Sequence, residues 1–389
     1  MVPNDVHPGA APLIFISAAE QSADRHGASL IRATLARCPS ARFVGVAGPQ
    51  MVAAGCVSVF DMSRHSAMLL GAFRSVGRGI AMLRITDAHL RRHPFDAAVL
   101  IDSPTLHLPL ASRAQAAGVP VLYYIAPQMW AWGAHRIYKL RHRTERVAVI
   151  LPFEEVYFRN QGVDARFVGH PLAEQWAETH VDAGAVQRLR NAGHPVIALL
   201  PGSRTHVVES VLPGQLEVAE QVARALPGAA FGVSVANPQV TPVIEGLVAD
   251  AAIEVAPNTE SHAELIQAAD LVLVASGTTA LEVAFHRRPM IVMYNTSPVF
   301  YHLIGRWMIH TPHLSLPNIL AGRRIVPEFM PYYRSTRPIA ECALDLLRSS
   351  ELRDRMIRDL DEVTTPLRGG RASERTAAML LDMVRAHSH

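Results

Sequence analysis

Five junctions, each where an apolar run gives way to a helix-like segment, carry residues able to do chemistry. Residues 17–28, SAAEQSADRHGA, follow PLIFI and set Glu20 and Asp24 where α/β proteins usually place a glycine-rich phosphate loop. Only Gly27 is present, which raises the question of what two carboxylates do there. In LLPGSR, residues 199–204, Gly202 permits a tight turn, and Ser203 and Arg204 offer donors to an anion. A plain strand-to-helix turn is the alternative. In ASGTTALE, residues 275–282, the backbone N–H groups of Gly277, Thr278 and Thr279 open a helix and suit a diphosphate, with Glu282 placed one turn in to accept from a ribose hydroxyl. Ordinary helix capping would use the same residue types. Two anion-friendly junctions in one half favour a nucleotide diphosphate. In the first half, LIDSPTLHL ends its run at Asp102, beside a loop fixed by Pro104. That carboxylate either caps the next helix or faces a cleft between domains. In APQMWAWGAHR, residues 126–136, Trp130 and Trp132 read as core or as a platform, and Gln128 and Arg136 suit a sugar or phosphate.

The elements that must position these junctions are legible as short β-rich runs separated by helix-length segments. PLIFIS, ARFVGVAG, AAVLID, VPVLYYIA and RVAVILPF occupy the first half; PVIALLPG, AAFGVSVA, AIEVA, DLVLVASG and PMIVMYN occupy the second. Runs apolar on both faces that alternate with helices predict parallel sheets covered on both sides. Two such series predict an α/β protein of two Rossmann-like domains facing across a cleft. The polar, helical stretch 170–195 separates them, giving domains at 1–172 and 173–335, with helices over 336–389 returning to the first domain. A chain of 389 residues, 49% hydrophobic, has the means to bury cores of that size. Its net charge of +3 is too mild to argue for nucleic acid. Charge is unevenly spread, however. No acid lies between Glu282 and Glu328, where Arg287, Arg288, Arg306, Arg323 and Arg324 fall, nor between Asp61 and Asp87, where Arg64, Arg74, Arg78 and Arg84 fall. Each stretch reads as a site for anions or as a solvated basic face. Cys38, Cys56 and Cys342 are too scattered for a disulfide framework or a zinc site, and DLD at 359–361 reads as a solvated helix face rather than a metal site.

AAEQSADRHGA, FVGVAGPQM, IDSP, APQMWAW, LPFE, FVGHPL, LLPGSR, SGTTALE and LPNILAGR follow one another in the order seen in the lipid-A-disaccharide synthase family, which this chain resembles over roughly residues 13–330. The resemblance implies the GT-B architecture, with the nucleotide sugar held by the C-terminal domain. It implies inverting transfer from UDP-2,3-diacylglucosamine to 2,3-diacylglucosamine 1-phosphate with release of UDP, at the cytoplasmic face of the inner membrane, without a metal or other cofactor. Asp102, Glu20 and Asp24 are then the catalytic and acceptor-positioning carboxylates. Gly202, Ser203, Arg204, Ser276, Gly277, Thr278, Thr279, Glu282 and Asn318 hold the nucleotide sugar, and Ser22, Gln128, Trp132, Arg136 and His170 lie on the acceptor side. The pattern is not followed everywhere. Ala19 and Ala23 stand at two family glycines, Thr105, Leu106 and His107 replace Asp-Phe-Asn, Val207 replaces an acid and Leu69 a glycine. These changes keep two other readings open, a paralogue that binds without turnover and a UDP-sugar epimerase of similar architecture.

Acylated sugars sit in a bilayer, so a surface able to touch one is expected. No segment is apolar enough to span, and the N-terminus lacks the features of a signal peptide. Leu69, Phe73, Val76, Ile80 and Leu83 form one helical stripe, with Arg74, Arg78 and Arg84 off it. The stripe is either a peripheral membrane contact or an ordinary core face.

Overall fold

The computed structural model describes residues 11–61, 72–131, 133–258, 262–295, 311–369 and 371–387; for 61 and 72–80 the description is of the backbone. The chain forms two units, one of residues up to Pro171 together with those from Gly369 onward, the other Leu172–Arg368.

The first unit runs β1 (Leu13–Ala18), α1 (Gln21–Arg37), β2 (Arg42–Ala47), α2 (Pro49–Ala53), β3 (Cys56–Asp61), α3 (Ala72–Arg92), β4 (Ala97–Ile101), α4 (Pro104–Ala116), β5 (Val121–Tyr124), α5 (Ile137–Arg143), β6 (Arg146–Val149), α6 (Pro152–Asn160) and β7 (Ala165–Phe167). All its pairings are parallel, in the order β3-β2-β1-β4-β5-β6-β7. Alternate residues feed two cores. Leu13, Phe15, Ala98 and Leu100 join one, and Ile14, Ile16, Ala97, Val99 and Ile101 join the other. Each fully buried Ile or Phe contributes about 1.5–3 kcal/mol relative to exposure. Helix α1 approaches the sheet closely because Gly27 has no side chain; a Cβ there would lie 2.6 Å from Met51 Sδ and 3.2 Å from Ile101 Cδ1.

The second unit runs α7 (Pro171–Glu178), α8 (Ala183–Asn191), β8 (Val196–Leu200), α9 (Thr205–Ala225), β9 (Ala230–Ser234), α10 (Thr241–Ala249), β10 (Ala256–Asn258), α11 (His262–Ala268), β11 (Leu271–Ala275), α12 (Thr278–Phe285), β12 (Met290–Met293), α13 (Leu316–Ala321), β13 (Glu328–Phe329), α14 (Arg337–Arg348) and α15 (Ser350–Arg368). Its sheet, also parallel, has the order β10-β9-β8-β11-β12-β13. The stretch 336–389 is divided between the units: α14 and α15 belong to the second, whereas α16 (Ala372–His387) buries Ala372, Ala377, Leu380 and Met383 in the same core as Ile14, Leu30 and Ile31.

In both sheets the strand order reverses once, between β1 and β4 and between β8 and β11. There Ala18 pairs with Ile101, and Leu200 with Val274. Loops leaving the two central strands of such a sheet diverge to opposite faces and open a crevice for ligand. Of the five chemically promising junctions, four leave those four strands, and that of Trp130 leaves β5.

Candidate active site

In the first unit the chain leaves β1 through Ala19 and Glu20. Glu20 starts α1 in an extended conformation, φ −134° and ψ 162°, and is exposed, as is Ser22. Neither Ala19 nor Ala23 takes a positive φ, so the alanines at the two family glycines carry no backbone strain. Strain sits across the crevice instead. Asp102, half-buried, and Ser103 are successive residues at φ 53° and 46°, a left-handed geometry that costs an L-residue about 1–2 kcal/mol. The Asp102 carbonyl accepts a hydrogen bond from the Tyr123 hydroxyl at 2.6 Å and lies 2.7 Å from His107 Nδ1, while the Asp102 N–H donates to Tyr124 O at 2.9 Å. His107 Nε2 is 2.9 Å from Ser17 Oγ. Burial pulls the His107 pKa down to about 4, against the opposing effect of its backbone hydrogen bonds, so the ring is neutral near pH 7. A neutral imidazole facing a carbonyl carries its proton on Nδ1; Nε2 therefore accepts from the Ser17 hydroxyl.

Asp24 has a different task from the one its sequence position suggests. It is buried, and its Oδ1 accepts from the N–H groups of Gly48 at 2.9 Å and Met51 at 3.1 Å, its Oδ2 from that of Gln50 at 2.9 Å. The carboxylate caps α2, with three backbone donors fixed on it. Gly48 makes room for it; a Cβ there would lie 2.6 Å from Asp24 Cγ. Of the acceptor-side residues, Gln128 is exposed, Arg136 is half-buried above Gly133, and Trp132 lies outside the described residues. His170 follows Gly169 (φ 102°) beyond β7 and is buried; desolvation, then the neighbouring His26, lowers its pKa to about 3. Trp130 is fixed from below, its indole N–H donating to Glu154 Oε1 at 2.9 Å, while Glu154 Oε2 accepts from the N–H groups of Leu151 and Ile150. Burial raises the Glu154 pKa to about 7 despite those three donors.

In the second unit Gly202, at φ 110°, turns the chain after β8, and Ser203 and Arg204 stand exposed at the start of α9. Val207, in place of the family acid, packs where a Gly202 side chain would be. Asn237, which the sequence reading missed, donates from Nδ2 to Ser203 O at 2.9 Å and accepts the Gln239 N–H. An Asn-Pro turn at the end of an apolar run was the available signal. Across the switch point Gly277, at φ 146°, follows half-buried Ser276 and leads into Thr278 and Thr279 at the exposed N-terminus of α12. Glu282 is one turn in, but its Oε1 lies 2.7 Å from His262 Nε2, a partner without sequence signal. Asn318 is likewise committed to partners within its own unit. Fully buried, it donates to Val326 O and Glu328 Oε2 and accepts from the N–H groups of Ile325 and Val326. Two donors and two lone pairs are all used, so Asn318 clamps the 322–328 loop and has no valence for a ligand.

Part of the acid-free stretch is neutralised within its own unit. Arg287 pairs with Asp361 at 2.9 Å, and Arg323 with Asp359 at 2.9 Å and Glu362 at 3.3 Å. The DLD segment is thus the counter-charge of this stretch. Arg306 lies outside the described residues, as do Arg64 and Leu69. The side chains of Phe73, Arg74, Val76, Arg78 and Ile80 lie outside them too, while Leu83 packs against the core. Among the described residues no helix is long and apolar enough to cross a membrane.

Two parallel sheets of Rossmann order, each with its own switch-point crevice, define a class. The Staphylococcus aureus MnaA–UDP co-structure has a similar fold, with TM-score 0.65 and 12% identity over 96% of this chain and 97% of that one. So has Acinetobacter baumannii MurG, with TM-score 0.55 and 13% identity over 96% and 99%. The architecture is that of GT-B glycosyltransferases and the related epimerases. Within that class the chain belongs to the lipid-A-disaccharide synthetase family, whose model matches residues 14–380. The lipid-A-disaccharide synthase of Myxococcus xanthus is 34% identical over 381 residues, covering 96% of this chain and 98% of that protein.

Proposed function

We propose that the chain joins UDP-2,3-diacylglucosamine to 2,3-diacylglucosamine 1-phosphate with inversion, releasing UDP. The observation that carries this reading is the contrast between the two crevices. One presents Glu20 and the strained Asp102, suited to hydroxyl groups; the other presents Gly202, Ser203, Arg204 and the N-terminus of α12, suited to a diphosphate. An acceptor hydroxyl attacks C1 of the donor sugar, Asp102 takes its proton, and the C1–O bond breaks with its electron pair leaving on UDP. Arg204 and the N–H groups of 277–279 offset the charge that develops on the diphosphate. Ser22, Gln128, Trp132, Arg136 and His170 stay assigned to the acceptor side. The chain works as a peripheral protein at the cytoplasmic face of the inner membrane, reaching its acylated substrates through the stripe from Leu69 to Ile80. Co-sedimentation with anionic vesicles that weakens with salt supports that contact, and equal partition of wild type and Phe73→Ser removes it.

The deciding experiment is UDP release from the acylated donor with and without the acylated acceptor. Acceptor-dependent release is expected, lowered about a hundredfold or more in Asp102→Asn. Acceptor-independent release replaces the reading with an epimerase or hydrolase, and donor binding without release replaces it with a paralogue that no longer turns over.

A further inference from the structure

We infer that His107 and Tyr123 are positioning residues for Asp102, a role that rests on the reading of Asp102 as the base. Asp102 lies one residue beyond β4, where the backbone abandons the sheet for two consecutive left-handed residues, neither of them glycine. Such a geometry persists only when its surroundings over-determine it. Here the restraint is visible. Two side-chain donors from different elements, His107 of α4 and Tyr123 of β5, converge on the one carbonyl of Asp102 at 2.7 and 2.6 Å, and its N–H is held by Tyr124 O. Both lone pairs of that oxygen and its own amide proton are then engaged. Rotating Asp102 back to the extended region would break these bonds and re-aim its Cβ, and hence the carboxylate.

His107 is itself fixed. It is fully buried, its proton is held on Nδ1 by the carbonyl it faces, and its other nitrogen takes the hydroxyl of Ser17, a fully buried residue of β1. The network therefore ties β1, the end of β4 and β5 together at the backbone of the residue that carries the carboxylate. An Asn, the residue the family pattern has at this position, is shorter than His. The imidazole spans from the α4 backbone to Ser17 and to Asp102 at once. The ring's neutral state has a further use, since it supplies the donor without placing a cation beside a carboxylate that must accept a proton.

The test uses His107→Phe and Tyr123→Phe in the full chain, alone and combined with Asp102→Asn, with UDP release as the readout. Tyr123→Phe keeps the ring and removes one hydroxyl, so it decides alone if His107→Phe does not fold. Each variant should lower kcat about tenfold with the donor KM within about twofold, because a base displaced by a fraction of an ångström loses rate and not ground-state binding. In the Asp102→Asn background neither change should lower kcat further, since the network acts only through the carboxylate. Unchanged kcat in folded variants whose Asp102→Asn counterpart is impaired overturns the inference. The same fold-loss in both backgrounds also overturns it, by assigning the network to general stability. Wild-type turnover by Asp102→Asn instead removes the underlying reading of Asp102, a result separate from either.

Discussion

Replacing Asp24 with Asn tests whether this carboxylate serves the fold or the substrate. The amide oxygen can keep the two bonds from the Gly48 and Met51 N–H groups, but the amide nitrogen then points a donor at the Gln50 N–H, which Oδ2 now satisfies at 2.9 Å. One hydrogen bond to a charged acceptor is lost, worth about 1.5–3 kcal/mol, and the remaining two lose their charge assistance. A net destabilisation of about 3 kcal/mol follows. With a urea slope of roughly 2 kcal/mol per molar, the midpoint of the N-terminal unit should fall by about 1.5 M. Hydrogen exchange of peptides from α1 and α2 across a urea series reads that unit separately from the other. Gly48→Ala should act in the same direction, because its Cβ would occupy the carboxylate's place. The turnover of folded Asp24→Asn should stay within about threefold of wild type. A variant as stable as wild type but impaired a hundredfold would put Asp24 on the substrate and refute the capping argument.

Asn318→Ala should likewise act on stability, lowering that of the C-terminal unit by about 2–4 kcal/mol as the buried N–H groups of Ile325 and Val326 lose their acceptor; calorimetric UDP affinity of the folded variant should change less than about threefold. The N-terminal unit should be acid-labile. His26 and His107 titrate at about 4 and His170 at about 3 in the folded chain, below the usual 6.5, so the unfolded chain binds protons that the folded one refuses and stability falls as pH drops below about 6.5. Glu154, raised to about 7 from 4.5, works oppositely, its stabilising share being present at low pH and lost as pH rises through 7. Three imidazoles against one carboxyl leave a net two protons, about 2.7 kcal/mol per pH unit between about pH 4.5 and 6. Urea midpoints measured across that range check the slope, and a midpoint that rises on acidification contradicts the burial of these histidines.

The sequence made the central strands legible because β1, β4, β8 and β11 are apolar on both faces, which only a covered parallel sheet requires. It did not show β3, β7 and β13. Their positions at or next to the sheet edges leave them short or half-solvated, as with Val57 at 60% exposure. AIEVA, residues 252–256, pointed to a strand that begins only on its last residue, at Ala256–Asn258. The junctions at Asp102, Gly202 and Gly277 were legible because turn geometry and helix starts are local. The tasks of Asp24, Asn318 and the arginines were not, because each is settled by a partner elsewhere in the chain. Asp24 serves a helix that begins at Pro49, and Arg287 finds its acid at Asp361. Composition shows that charges must be balanced somewhere; only the fold says by which residue.

The return of α16 to the first unit has a consequence for synthesis on the ribosome. The second unit is one continuous segment and emerges with every part it needs, whereas the first waits for its last helix while about 200 further residues are made. At 5–20 residues per second that interval is roughly 10–40 s, during which the face of α1 that will receive Leu380 and Met383 is uncovered. The earlier-made half of the protein is therefore the later to finish, and a chain cut short near residue 369 would carry a complete second unit and a first unit with an open core.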